Sequence, residues 1–371
     1  MYEILTLNKI AQVGLDIFDK NEYVCGETEN PHGIMVRSAS MHEMEFSDNT
    51  LAIARAGAGV NNIPIDRCSE KGICVFNTPG ANANAVKELV IASLFLSSRR
   101  VAAAYDWCKG LKGKGDEVGK LVEKGKSQFA GPEILGKTLG IIGLGAIGMK
   151  VAESAVALGM KVVAYNSSVK ECKEGITQVS HIDELYKTAD YISLHLPLLD
   201  STKGMINSQS IGKMKDGVRI LNFARGGLIN DGDLIAALES GKVSAYITDF
   251  PSDAIIGVEG VTALPHLGAS TPESEDNCAI MAAEQIDLYF KTGSIKNSVN
   301  FPCVILPEKT GVRHCIIHTP CDGIHDKLKD LTGKEPLTNT RGNISYTVID
   351  ADKDYSDTIK EYGCAIRVRV I

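Results

Sequence analysis

The segment Thr138–Gly148, TLGIIGLGAIG, constrains this chain more than any other. An apolar strand runs directly into a Gly-x-Gly-x-x-Gly turn, and AIGMKVAESAVALG continues from it as a helix. By itself such a glycine pattern is weak evidence. Between a strand and a helix it predicts a dinucleotide turn: Gly143 permits the tight bend, Gly145 lets the backbone approach a pyrophosphate, and Gly148 lets helix and strand pack closely. The free amides at the helix N-terminus, Ala146 and Ile147 among them, would then face the diphosphate.

A nucleotide unit of this kind should end its second strand on Asp or Glu, which holds the adenosine ribose. Here VVAYNSS ends on Asn166, eighteen residues past Gly148. An amide hydrogen-bonds a ribose hydroxyl but lacks the charge that repels a 2′-phosphate, and Ser167, Ser168 and Lys170 follow it. NAD is the expected cofactor, with NADP tolerance open.

Strand and helix patterns alternate twice along the chain. GIMVRS, LAIARAG and ICVFNTPG are strands of a first parallel sheet, separated by short helical stretches. From Lys137 to Ser270 six more strands follow (TLGIIG, KVVAY, DYISLH, VRILNF, SAYIT and VTAL), with crossover helices between them, as a doubly wound sheet requires. AVKELVIASLFLSSRRV reads as a buried connecting helix. Six lysines between residues 109 and 126 read as a solvated surface or a cationic rim. A long helix, residues 273–292, precedes a proline-containing linker and a final α+β unit. The expected fold is α/β: a Rossmann-type domain (98–274) inserted in a flavodoxin-like substrate domain (1–97 and 275–300), with a small α+β domain at 303–371.

The 371 residues carry a net charge of −7 without a basic stripe, which argues against a nucleic-acid surface. The most apolar stretch, Leu89–Leu96, is far short of the roughly 20 residues a membrane span needs, and MYEILTLNKI is not a leader pattern. A cytoplasmic protein is expected. Its ten cysteines form no CxxC pair, so they read as reduced, mostly buried thiols, and no metal site is expected.

Two further segments carry chemistry. NFARGGLINDGDL places Arg225 where a parallel strand gives way to its loop, and a guanidinium there can grip a carboxylate through two parallel hydrogen bonds. ALPHLGAST places His266 after another strand, and His has the right pKa to exchange a proton during hydride transfer.

GLGAIG, ADYISLHLPLLDSTKGMIN, NFARGGLIND and LPHLGAST, in that order, resemble the D-2-hydroxyacid dehydrogenases. Upstream, VRSAS, ARAGAGVNNIPID and VFNTPGANANAVKEL are similar to the D-3-phosphoglycerate dehydrogenase branch. The resemblance implies that Arg225 binds the substrate carboxylate, that His266 is the acid/base, and that Asp253 in TDFPSDA is its carboxylate partner, with Glu259 the alternative. It implies substrate contacts from Arg37, Ser38, the amides of Ala58 and Gly59, and Asn82. Cofactor contacts fall on Gly143, Gly145, Ala146, Ile147, Gly148, Asn166, His195, Pro197, Thr202, Ala224 and Asp249, the last at the nicotinamide carboxamide. The implied reaction is oxidation of 3-phosphoglycerate with NAD, the first step of serine synthesis. Alternatives are another D-2-hydroxy acid, such as 2-hydroxyglutarate or erythronate 4-phosphate, or a nucleotide-sensing binding protein like the corepressors of the superfamily.

The tail, with RGNISYTVIDAD and IRVRVI, is similar to ACT-type regulatory domains. It departs from them at HTPCDG, where Pro320 replaces the usual Asn, and the region before RGNISYT leaves little room for a second strand. Serine regulation is therefore not the leading expectation. The tail is expected to serve assembly into a homodimer or homotetramer through an open sheet edge.

Overall fold

A computed structural model describes residues 1–371. Two units emerge: Met1–Asn82 with Thr271–Ile371, and Ala83–Ser270.

In the first unit, five parallel strands lie in the order Tyr23–Gly26, Tyr2–Leu7, Gly33–Val36, Ala52–Arg55 and Cys74–Phe76. This 2-1-3-4-5 arrangement is the flavodoxin-like order. Gly33–Val36 is buried at every position because helices or loops cover both faces of a parallel sheet. The helix Pro272–Thr292 packs on it and carries strong end signals. Thr271 caps it by accepting from the Ser274 amide at 3.1 Å, Pro272 opens it, Glu273 and Glu275 stand in the first turn, and Gly293 closes it at φ 78°.

The tail adds a βαββαβ motif to the same unit. Its antiparallel sheet is ordered Leu337–Arg341, Ile344–Ala351, Val312–His318, Ala365–Val370. Leu337–Arg341 is the second strand for which the sequence left little room; it is an exposed edge strand with a tight return at Gly342. Nor is the tail a separate body. Cys315, Ile317, Tyr346 and Val348 join Phe76, Ile286 and Phe290 in one apolar core. Arg369 and Arg313 bind the last carbonyls of the Pro272–Thr292 helix: Arg369 reaches those of Tyr289 and Phe290, and Arg313 that of Thr292. The expected boundary between residues 300 and 303 therefore crosses a continuous core.

The second unit is a seven-stranded parallel sheet. In spatial order it runs Val261–Ala263, Val243–Thr248, Val218–Asn222, Tyr191–Leu194, Thr138–Ile142, Lys161–Tyr165 and Ile176–Val179. The chain starts in the middle, at Thr138–Ile142, and winds outward in both directions. All six expected strands are present; Ile176–Val179 is the seventh. The helix Ala83–Ser98 belongs to this unit rather than to the first: Val86, Val90 and Leu94 share a core with Leu139, Val151 and Ala155. The lysine-rich stretch forms short helices with no buried residue.

The cysteines correct one expectation. Cys68, Cys74, Cys278 and Cys315 are buried thiols, whereas Cys108 and Cys303 are exposed. Cys321 and Cys364 form a disulfide that 43 residues of sequence separation had hidden. No helix is long and apolar enough to cross a membrane.

Candidate active site

Six strand ends of the second unit supply its chemistry. At the first, Gly143 turns at φ 102° and donates to the Tyr165 carbonyl at 2.9 Å. Helix Ala146–Ala157 then begins at Gly145 with no side chain capping it. A side chain on Gly145 would project into open space, while one on Gly148 would collide with the Gly143 carbonyl. An uncapped helix start beside an open cradle fits a diphosphate.

Asn166 closes the far side of this turn. Its Oδ1 accepts from the Leu144 amide at 3.0 Å, and its Nδ2 donates to the Ser168 carbonyl at 3.0 Å. The Gln178 amide binds the Ser168 carbonyl at 2.9 Å and accepts from the Lys170 N–H at 2.9 Å, so the loop after the strand is held in a defined shape.

After Tyr191–Leu194, the neighbour of Thr138–Ile142 on its other flank, His195 pairs through Nε2 with Ser193 Oγ at 2.9 Å. Burial pushes its pKa down to about 4, so the ring is neutral near pH 7. Thr202 donates to the Pro197 carbonyl at 2.7 Å and accepts from the Leu199 amide, shaping the loop that both were expected to contribute.

Asn222, at the end of Val218–Asn222, organises the Arg225 loop. Its Nδ2 donates to the Arg225 carbonyl at 2.9 Å, its Oδ1 accepts from the Ala224 amide at 3.2 Å, and Thr248 Oγ1 binds its own carbonyl at 2.8 Å. Arg225 is exposed, and its Nη1 donates to the Ala224 carbonyl at 2.7 Å. Asn222 and Thr248 are positioning residues missing from the expected set. Their signal was a polar residue closing an apolar strand run, VRILN and SAYIT.

Asp249 follows Thr248 and is 1% exposed. One carboxylate oxygen accepts from the Gly268 amide at 2.8 Å; the other is buried without a partner. Burial raises the pKa of this carboxyl, against the opposing pull of the Gly268 N–H and of His266. An orphaned acceptor at this strand end fits the amide donor of a nicotinamide carboxamide. The His266 ring lies tilted against that of Phe250, centroids 4.7 Å apart, and a cavity of about 500 Å³ opens among Asn222, Gly226, Asp249, Phe250, Ser252 and His266.

The structure does not bring Asp253 to His266. Asp253 is exposed and makes no hydrogen bond or ion pair; the carboxyl that feels the charge of His266 is that of Asp249. Glu259 is removed as an alternative, because it pairs with Arg100 at 2.8 Å on the surface.

The expected substrate residues lie in the first unit, at the carboxyl ends of its strands. Arg37 follows Gly33–Val36 and pairs with Glu275 at 2.5 Å. The Ser38 amide is held by Asn8 Oδ1 at 3.0 Å. Ala58 and Gly59 donate their amides to no protein acceptor, while Asn77 anchors the Ala58 carbonyl at 2.7 Å. Asn82 keeps its Oδ1 buried and unpartnered. Arg55, missed in the sequence, lies in register with Val36 on the adjacent strand and donates through Nε to the Arg37 carbonyl at 3.1 Å.

Residues 91–268 match the family described as D-isomer specific 2-hydroxyacid dehydrogenase, NAD binding domain. A hydroxypyruvate reductase from Thermotoga maritima is 42% identical over 265 residues, covering 68% of this chain and 83% of that protein. The D-3-phosphoglycerate dehydrogenase of Rattus norvegicus is 34% identical over 303 residues; the match covers 77% of this chain and 55% of the rat enzyme. Among solved structures, the NAD+-bound 3-phosphoglycerate dehydrogenase of Entamoeba histolytica superposes with a TM-score of 0.64 at 32% identity, covering 81% of this chain and 98% of that one. An open dinucleotide turn, an orphaned carboxylate beside a histidine and these likenesses have one common account: the chain belongs to the D-isomer specific 2-hydroxyacid dehydrogenases, enzymes that use a nicotinamide cofactor.

Proposed function

We propose that this dehydrogenase interconverts 3-phosphoglycerate and 3-phosphohydroxypyruvate, with NAD as its preferred cofactor. The observation that carries the reading is a set of donors at the carboxyl edge of the first sheet: Arg37 and Arg55 on adjacent strands, joined by the Arg55 Nε bond to the Arg37 carbonyl, with the unengaged amides of Ala58 and Gly59 on the following turn. Such a cluster suits a substrate bearing both a phosphate and a carboxylate.

Arg225 orients the substrate carboxylate, held in place by Asn222. His266 removes the proton of the C2 hydroxyl during oxidation and returns it during reduction. Asp249, Asn166 and the amides at Gly145–Gly148 would hold the dinucleotide, which when bound accepts the hydride from C2.

A second reading, reduction of an unphosphorylated acid such as hydroxypyruvate, is favoured by one contact: Glu275 already neutralises Arg37. It also agrees with the name of the Thermotoga relative. Steady-state kinetics with 3-phosphoglycerate, D-glycerate, hydroxypyruvate and glyoxylate separates the two. The phosphoglycerate reading expects Arg37→Ala to lower kcat/KM at least tenfold for the phosphorylated substrate alone. Equal or better turnover of D-glycerate or hydroxypyruvate by the unaltered enzyme overturns it in favour of the second.

A further inference from the structure

The tail holds a cysteine pair that neither the dinucleotide site nor the substrate residues use. Cys321 lies three residues beyond strand Val312–His318, in the turn leading to helix Ile324–Thr332; Cys364 immediately precedes strand Ala365–Val370. The two strands are antiparallel neighbours whose pairing ends at His318 and Ala365, and the Thr319 amide donates to the Cys364 carbonyl at 3.0 Å. Backbone pairing thus delivers the two sulfurs to one place, where they are bonded. Both cysteines are half-buried and stand on the rim of a cavity of about 340 Å³, with Asp322, Lys327 and Tyr362 around them.

We propose that Cys321 and Cys364 form a reversible thiol–disulfide exchange site that clasps the mouth of this cavity. The chain's other eight cysteines are free thiols, two of them exposed. That usage belongs to a reducing compartment, where an accessible disulfide is opened and remade rather than permanent. The partner class is a small-molecule dithiol or disulfide. In closure, the Cys321 thiolate attacks one sulfur of the small disulfide and expels the other as a thiolate, leaving a mixed disulfide. The Cys364 thiolate then attacks Cys321 and releases the second small thiolate. Two protein thiols are oxidised, one disulfide is reduced to two thiols, and the two cysteine protons go to the departing thiolates.

His318 lies within reach of both sulfurs, so the same three residues could in principle hold a metal ion. The histidine is committed elsewhere: Nδ1 binds the Thr319 carbonyl at 2.7 Å and Nε2 binds Thr347 Oγ1 at 2.8 Å. Metal binding would break one of these bonds in a buried setting, whereas the disulfide leaves both intact.

The test uses the full chain, equilibrated in glutathione buffers of graded redox poise, trapped by alkylation and read by peptide mass spectrometry. Cys321 and Cys364 peptides should appear cross-linked, 2 Da below their reduced sum, with a midpoint inside the range that glutathione buffers span. Hydrogen exchange at residues 319–323 should accelerate at least tenfold on reduction. Cys321→Ser should abolish the cross-link and leave Cys364 alkylatable. Two thiols that stay alkylatable in the most oxidising buffer overturn the proposal, as does failure of reduction to change exchange in this loop. Reduced protein that takes up one equivalent of Zn2+ and thereby shields both thiols also overturns it, in favour of a His318, Cys321 and Cys364 metal centre.

Discussion

The guanidinium of Arg369 lies 4.4 Å from the ring centre of Tyr289 and donates to that residue's own carbonyl, so one side chain from the tail both stacks on the long helix and terminates it. The carbonyls of a last helical turn have no partners within the helix and carry its partial negative charge. Arg369 and Arg313 together supply those partners. Arg369→Met should cost about 2–4 kcal/mol, from charged hydrogen bonds and a partly desolvated cation–π contact. Urea unfolding monitored by circular dichroism measures it, and an unchanged midpoint would show that the stacking is incidental.

Asp249 sets stability against binding. An acid whose pKa is raised by folding contributes stability that is fully present below its unfolded pKa and lost as pH rises through its folded value. Asp249→Asn removes that loss, so the variant should melt at the same or a higher temperature at pH 7. It should nevertheless raise the apparent Kd for NAD about tenfold, the ~1.4 kcal/mol expected for one weakened hydrogen bond to a charged group. Thermal melts with and without NAD check both arms.

His195 behaves in the opposite sense. Its folded pKa, about 4, is below the ordinary value of 6.5, so the unfolded chain takes up the proton first. The stability it contributes is whole above pH 6.5 and lost as pH falls through 4, on the order of 3 kcal/mol in all. Denaturant titrations from pH 7 to pH 4 should show this slope in the native protein and a shallower one in His195→Asn.

Asn166→Asp restores the carboxylate that the strand end lacks. The Leu144 amide at 3.0 Å can still be accepted, so the turn should survive the change. A negative charge near a 2′-phosphate repels it, and kcat/KM with NADP should fall at least tenfold while that with NAD holds or improves. Parallel loss with both cofactors would place Asn166 in a purely structural role.

His266→Ala should lower kcat on the order of 10²- to 10⁴-fold, the usual span for a lost acid/base. Asp253→Asn alters an exposed carboxylate with no bonded partner, so kcat/KM should stay within about twofold of the unaltered enzyme. A loss of tenfold or more would place Asp253 at the reacting centre.

Legibility followed periodicity. Strands buried on both faces, such as Gly33–Val36 and Thr138–Ile142, announce themselves as apolar runs, and the glycine turn fixed the sense of the second sheet. Ile176–Val179 and Leu337–Arg341 were harder, because ITQV and LTNTR are short edge strands with too few buried positions to show a pattern. The Cys321–Cys364 bond and the Asn222 network depend on residues brought together by pairing, which no local window contains. Arg313, Arg367 and Arg369 carry no local signal of their role, since each bonds a backbone carbonyl distant in sequence: those of Thr292, Thr50 and Tyr289.

That shared core bears on how the protein is made. The dinucleotide unit is one continuous stretch, Ala83–Ser270, and can close its sheet as soon as it has left the ribosome. Residues 1–82 are synthesised first but finish last, since Phe76 and Tyr2 await the helix Pro272–Thr292, and that helix awaits Arg369. Until then the five-stranded sheet has an uncovered apolar face on the growing chain. A chaperone that holds nascent protein should therefore engage the first eighty residues longest, and translation arrested before residue 365 should leave this segment, rather than the nucleotide-binding half, open to proteolysis.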